Sequence, residues 1–414
     1  MKGVHIMSLK KPLEGIKVVE LGTFIAVPTA TRWLADWGAE VIKIEGLQGD
    51  DWRHIGPGFR TPKADDENPL FTVQNANKKL LALNLKTKEG LKILFDLIKE
   101  ADVFITNVRL KSLEKMNISY ETVKAVNEKI IYAHFTGYGY EGPAASRPGF
   151  DMAAFWARTG AMVDWGSKGD FPIKPLGGFG DSTVASVIAL GIMGALYGRT
   201  VSGKGTFLTS SLYGTGIWYN ATGVVATQER YGAEYPKHKM APGSPTNHIY
   251  QSSDDQWVII TLGNYERQAP GFYRLLGLDE YAEHPDTETI AILQAHPDTL
   301  KELMEKLYQV FRTKTMAEWT ALFDEADIVY EVLKHNADVS KDEQAWANNY
   351  LREVTFESGN TAIMPNLPVS FSEYDTFDSY QPTGRIGRDS EEILKALGYS
   401  DEEFKAFIDS NVTL

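Results

Sequence analysis

An α/β fold built on a parallel sheet is predicted by two features of this chain. Short apolar runs of strand length alternate with segments of helical periodicity, and that alternation recurs through the first half of the sequence. A third observation concerns size. With 414 residues and 43% hydrophobic content the chain exceeds what one core ordinarily serves, roughly 250–300 residues, so two domains are expected.

Val18-Val19-Glu20-Leu21 reads as a buried strand, Pro28 suits the first turn of a helix running through Arg32, Leu34 and Trp37, and Val41-Ile42-Lys43-Ile44 reads as the next strand. Residues 88–100 carry Leu91, Ile93, Leu94, Leu97 and Ile98 at helical spacing and lead into the strand Val103-Phe104-Ile105. Residues 120–127 and 130–135 supply another helix and strand. Strands that alternate with helices in this way imply a parallel, Rossmann-like sheet covered on both faces. The uncharged run 182–198, studded with Gly, Ser and Thr, reads as a buried core helix rather than a membrane span. After a turn at Gly205 and a strand near Phe207 and Leu208, residues 213–247 are rich in Gly, Tyr and Pro and read as a linker. The expected layout is a large α/β domain over 1–212 completed by 340–414, with a smaller α+β domain over 248–332. Helical periodicity in that smaller unit is clearest at 300–311 and 317–323.

Charge and composition exclude several classes of function. The formal charge is −13, with 42 basic against 55 acidic residues and no basic block, so the long-range field repels polyphosphate backbones and nucleic acid is not an expected partner. An anionic ligand must be held by local basic groups. The absence of cysteine removes disulfides, thiolate nucleophiles and Cys-based metal sites, so any nucleophile is oxygen or nitrogen. The eight histidines show no metal-ligand spacing. The opening residues carry no apolar stretch of signal-peptide length, so a soluble, cytoplasmic protein with no membrane partner is expected.

Three local motifs bear on chemistry. Gly137-x-Gly139-x-x-Gly142 follows a strand, as a dinucleotide loop would, but Pro143 and Pro148 interrupt the helix that would carry a pyrophosphate. The run 198–205 approaches a phosphate-binding loop, yet Gly205 stands where a hydroxyl is needed and the run leaves a helix instead of entering one; it reads as a helix-ending turn. Asp151 follows a Gly/Pro loop and precedes Ala153, Ala154, Phe155 and Trp156, which on spacing makes it an N-cap.

A series of motifs in order then resembles the class III CoA-transferases, the formyl-CoA transferase/carnitine CoA-transferase family, over nearly the whole chain. It comprises KPLEGIKVVEL (11–21), LADWGAEVIKIE (34–45), GDDWR (49–53), NKKLLALNLK (77–86), ADVFITNV (101–108), TGYGYEGP (136–143) and RPGFD (147–151). The stretch DEQAWANNYL (342–351) is similar to a subgroup that activates (R)-2-hydroxy acids such as phenyllactate or 2-hydroxyisocaproate. The resemblance implies a homodimer of interlocked subunits with no permanently bound cofactor, taking coenzyme A as co-substrate from an acyl-CoA to a free carboxylic acid. It implies Asp151 as a nucleophile that carries CoA as an aspartyl thioester, flanked by mixed anhydrides. It implies CoA contacts at Ala26, Leu83, Lys86, Asn107, Val108, Lys115, Met116 and Thr136, and substrate-loop positions at Gly139, Phe150 and Gly243. The chain departs from the formyl-CoA enzymes at Gly46 and Thr136, where those carry basic residues, and at Thr23 and Ile25, which replace polar contacts. Two other functions are weighed. An acyl-CoA racemase of the same superfamily needs a histidine immediately before the matched aspartate, where this chain has Phe150. A CoA-binding protein without chemistry would share the fold.

Overall fold

The computed structural model describes residues 10–414, so most of the stretch weighed as a signal peptide lies outside the described residues. The chain forms two compact units. The first gathers residues up to Thr159 with Pro175–Thr222 and Asp342–Leu414; the second gathers Gly160–Lys174 and Gly223–Lys341.

The first unit holds a six-stranded sheet of β1 (Lys17–Leu21), β2 (Glu40–Glu45), β3 (Lys79–Ala82), β4 (Val103–Thr106), β5 (Ile131–Thr136) and β6 (Thr206–Ser211). Its order is β3-β2-β1-β4-β5-β6 and every pairing is parallel. Burial on both faces explains why the interior strands β1, β4 and β5 read as near-continuous apolar runs, whereas the edge strand β6, TFLTSS, is only partly buried. The α/β expectation therefore holds. Helices α1 (Ala26–Asp36), α2 (Pro69–Asn75), α3 (Lys88–Glu100), α4 (Leu110–Lys115) and α5 (Tyr120–Val126) connect the strands. On one face, Ile93, Leu94, Leu97 and Ile98 of α3 pack with Phe104 and Tyr132 from the sheet. The C-terminal segment belongs to this unit and covers the edge strand β3: Leu80 N donates to Asp389 Oδ2 at 2.7 Å, Ala82 N donates to Ser390 Oγ at 3.2 Å, and Thr413 Oγ1 donates to Ala82 O at 2.6 Å. Covering an edge in this way removes a template for unwanted strand pairing.

Helix α6 (Ala161–Asp164) lies in the second unit, and α7 (Phe179–Ser202) returns to the first, where it packs against α1. The core-helix reading of this run needs correction. Val184, Ala185, Ile188 and Ile192 are buried, but Leu190, Tyr197 and Val201 are 73%, 74% and 78% exposed. By length and composition alone α7 could cross a membrane; its buried stripe within the first unit is what gives it a place in a globular core. It ends at Gly203, whose φ of 71° is the left-handed cap a glycine adopts without strain. The stretch read as a linker is partly helical: α8 (Leu212–Tyr219) starts immediately after β6, with Ser211 Oγ accepting from Gly214 N, and Ala221–Ala226 follows.

The second unit carries an antiparallel sheet of β7 (Asn247–Gln251), β8 (Trp257–Thr261) and β9 (Tyr330–Val332). Helices Pro297–Phe311 and Met316–Glu325 pack Leu303, Leu307, Phe311, Trp319 and Phe323 around Tyr250 and Tyr273. The second of these helices starts with a reciprocal capping box between Thr315 and Glu318.

Candidate active site

In a sheet of this order the chain runs from β1 towards one edge and from β4 towards the other, and the loops leaving those two strands diverge to leave a crevice. A cleft of about 620 Å³ occupies that position. It is lined by Thr23, Phe24 and Ala26 after β1, by residues 107–112 after β4, by Thr136, Gly137, Gly139 and Tyr140 after β5, by residues 145–150, and by Asp181 and Leu212.

The wall after β1 is held from beneath by buried charge. Lys43 Nζ donates to Glu20 Oε1 at 2.9 Å, to Asp50 Oδ2 at 2.9 Å and to Gly22 O at 2.8 Å, and Lys78 Nζ donates to Glu20 Oε2 at 2.8 Å. Burial alone would discharge Lys43, but the Asp50 and Glu20 carboxylates outweigh it and raise its pKa. Burial likewise opposes the Glu20 charge, and the two lysines reverse that and hold its pKa below the usual range. Asp50 Oδ1 accepts from Phe24 N at 3.0 Å. Asn107 clamps the same loop from the other side, accepting from Thr23 N at 3.0 Å and donating to Thr23 O at 2.8 Å.

Of the residues picked out in the sequence, Ala26, Asn107, Val108, Thr136, Gly139 and Phe150 border the cleft. Four others do not. Leu83 is buried beyond β3, Lys86 is exposed, Lys115 is exposed in the last turn of α4, and Met116 packs on the α3 core. Gly243 lies in the second unit, where its carbonyl accepts from Gln294 Nε2 at 2.7 Å. Three cations that sequence reasoning passed over, Arg109, Lys111 and Arg147, line the cleft together. Arg109 and Lys111 are two residues apart, but Arg147 lies 36 residues beyond Lys111, and only the convergence of loops makes the three a group.

Asp151 is not the N-cap. Phe150 holds that position, with φ −118° and ψ 164°, and Asp151 is the first residue of the π-helical turn Asp151–Ala157. Its buried carboxylate turns away from its own helix towards the start of α7, where Oδ2 accepts from Gly178 N at 2.6 Å. Burial raises its pKa, against the opposing pull of the Gly178, Gly180 and Asp181 amides. Only the Gly178 contact has full hydrogen-bond geometry; Oδ1 is buried without a partner. Gly180 makes the approach possible, since a Cβ there would lie 2.3 Å from Asp151 Oδ1 and 2.5 Å from the Phe155 ring.

Asp151 does not border the cleft; Asp181, in the first turn of α7, does. Burial first, and the neighbouring Asp151 charge second, push the Asp181 carboxyl up to about 7. Nothing in the local pattern singles this residue out, because an Asp-Ser-Thr flank on an apolar run looks like an ordinary helix start.

His134 also lines the cleft. Its Nε2 faces the Val108 carbonyl at 2.8 Å and so must carry the proton, which leaves Nδ1 to accept from the Tyr140 hydroxyl. Burial lowers its pKa. With both nitrogens engaged it has no free lone pair for proton abstraction. Among the described residues no group of three or more His, Cys, Asp or Glu side chains is placed to hold a metal ion.

A carboxyl group on the wall of a cleft that also presents three cations can attack an electrophilic carbonyl borne by an anionic carrier. Fold and site together define an α/β enzyme whose cleft places a carboxyl group beside three cations. The chain belongs to CoA-transferase family III, whose model matches residues 13–390, and it is a class III CoA-transferase. It is 39% identical to the (R)-2-hydroxy-4-methylpentanoate CoA-transferase of Clostridioides difficile, over 97% of this chain and 99% of that one. It is 37% identical to the cinnamoyl-CoA:phenyllactate CoA-transferase of Clostridium sporogenes, over 94% of each. A solved CaiB/BaiF family protein from Brucella suis superposes with a TM-score of 0.78 at 27% identity, covering 94% of this chain and all of that one.

Proposed function

We propose that this protein transfers CoA from an acyl-CoA to a 2-hydroxy acid with an apolar side chain, and that Asp181 is the nucleophile. The observation that carries the second part is that Asp181 borders the cleft while Asp151 is buried behind it. The substrate class is supported by the two relatives that act on 2-hydroxy-4-methylpentanoate and phenyllactate.

In this reading the Asp181 carboxylate attacks the thioester carbonyl and expels CoA thiolate, leaving a mixed anhydride. The thiolate returns to the aspartyl carbonyl and releases the donor acid, leaving an aspartyl-CoA thioester. The acceptor carboxylate attacks that thioester, expels the thiolate and forms a second anhydride. Attack by the thiolate on the acceptor carbonyl yields the new acyl-CoA and regenerates Asp181. No water enters the sequence and no charge is lost. Burial and the neighbouring Asp151 charge push the Asp181 carboxyl up to about 7, so the attacking carboxylate becomes the major form only above neutral pH. Arg109, Lys111 and Arg147 are suited to the phosphates of CoA, which an acidic protein must hold by local cations. Asp151 is a positioning residue that fixes the first turn of α7 through Gly178.

The protein works as a homodimer in this account. Support comes from the apolar surface of the first unit, where Leu190, Tyr197, Val201 and Trp218 are each at least 73% exposed; a second copy would cover it. Dependence on CoA thioesters fits a cytoplasmic location.

The test is CoA exchange by the purified protein between cinnamoyl-CoA or 2-hydroxy-4-methylpentanoyl-CoA and free 2-hydroxy acids, followed by chromatography of the thioesters. New thioester at the expense of the donor is expected. Hydrolysis or racemisation without exchange would overturn the assignment.

A further inference from the structure

We propose that Phe24 and Phe150 are the walls that select the apolar part of the acid, and that Asp50 is a positioning residue that holds Phe24 in place. This deepens the reading above and rests on it.

The two rings meet edge to face, with centroids 5.5 Å apart and planes at 78°, and both line the cleft that holds Asp181. Phe150 is 60% exposed there, so its ring is open to a ligand in the cleft. Trp52 stands behind Phe24 at 6.5 Å.

The backbone under Phe24 gives the second line of argument. Its φ is +64°, a left-handed conformation that a bulky side chain adopts only when its surroundings impose it. Here they do, since Asn107 grips Thr23 through two hydrogen bonds and Asp50 accepts the Phe24 amide. Asp50 is in turn fixed by Lys43, and the Glu20, Lys43 and Asp50 side chains are 0%, 0% and 1% exposed. A buried ionic trio of this sort offers little net stability over apolar packing. What it does offer is a rigid acceptor at one backbone amide, and that amide belongs to the residue whose ring enters the cleft.

The test compares 3-phenyllactate, 2-hydroxy-4-methylpentanoate and lactate as acceptors from a common acyl-CoA. They share a head group and differ in apolar bulk. Phe24→Ala and Phe150→Ala are each expected to lower the ratio of kcat/KM for a bulky acid over lactate at least tenfold, mainly through the KM of the bulky acid. Asp50→Asn should move the ratio the same way with Phe24 still present. Because Asp50→Asn could fail to fold, Asn107→Ala, which frees Thr23 from outside the buried trio, provides a second route to the same readout. An unchanged ratio in both phenylalanine variants would overturn the selectivity assignment. Unchanged ratios in every folded loop variant would overturn the positioning role. Failure of the wild type to transfer CoA to any of the three acids would overturn the functional reading as well, whereas transfer with unaltered ratios overturns this inference alone.

Discussion

The amide of Gly178 donates to Oδ2 of Asp151 across 2.6 Å, joining two helix starts that lie 27 residues apart in the chain. One carboxylate therefore caps the helix that carries the other. The consequence is electrostatic, because the Asp151 charge, after burial, is what pushes the Asp181 carboxyl up to about 7.

Asp151→Asn keeps an acceptor oxygen near Gly178 but removes that charge. The Asp181 pKa should fall, so the acid limb of the kcat/KM profile, which tracks ionisation of the nucleophile, moves to lower pH. A pH–rate profile of the two proteins checks this. An acid limb that stays in place contradicts the coupling.

Gly180→Ala inserts a methyl group where Asp151 Oδ1 and the Phe155 ring already lie within 2.5 Å of the new atom. Overpacking of this kind costs about 1–3 kcal/mol. Since the displaced group sits at the turn that bears Asp181, activity should fall about 100-fold or more, a 1 Å misplacement being worth about that much. Thermal melts and initial rates measure the two effects separately.

Asp181→Asn should stabilise the protein at neutral pH. The folded-state pKa of this carboxyl lies above its unfolded value, so between about pH 4 and 7 the folded state holds a proton that the unfolded state has released, and stability falls as pH rises. The amide escapes this penalty. Allowing for solvent screening at the cleft, the gain near pH 7 is roughly 2 kcal/mol and disappears below about pH 4. Melting temperatures of both proteins across that range give the answer.

Lys43→Met leaves the Glu20 and Asp50 carboxylates buried with fewer partners. Removing one member of a buried ionic group costs about 3–5 kcal/mol. Denaturant titration at pH 7 measures it, and a loss below about 1 kcal/mol would show that the trio is dispensable.

The sheet was legible because β1, β2, β4 and β5 are buried on both faces, which turns each into an apolar run, and because α3 repeats its apolar residues with helical spacing. The start of α7 was not. Gly177-Gly178-Phe179-Gly180 offers no local capping side chain, and the capping carboxylate comes from Asp151. For the same reason Asp151 drew attention as an N-cap of its own helix, a role that Phe150 fills by backbone conformation. Asp181, Arg109, Lys111 and Arg147 become a site only when the segments after β4 and β5 and the start of α7 converge beside the reversal in strand order, and spacing along the chain carries no trace of that. The exposed side of α7 was missed because apolar residues all round a helix look alike whether a core or another subunit covers them.

The most direct test is intact-mass and peptide-mapping spectrometry of the wild type, Asp151→Asn and Asp181→Asn after mixing with an acyl-CoA that the wild type uses. The account predicts a hydroxylamine-sensitive adduct on the peptide containing Asp181, present in the wild type and in Asp151→Asn and absent from Asp181→Asn. An adduct on Asp151, or one that persists in Asp181→Asn, would contradict it.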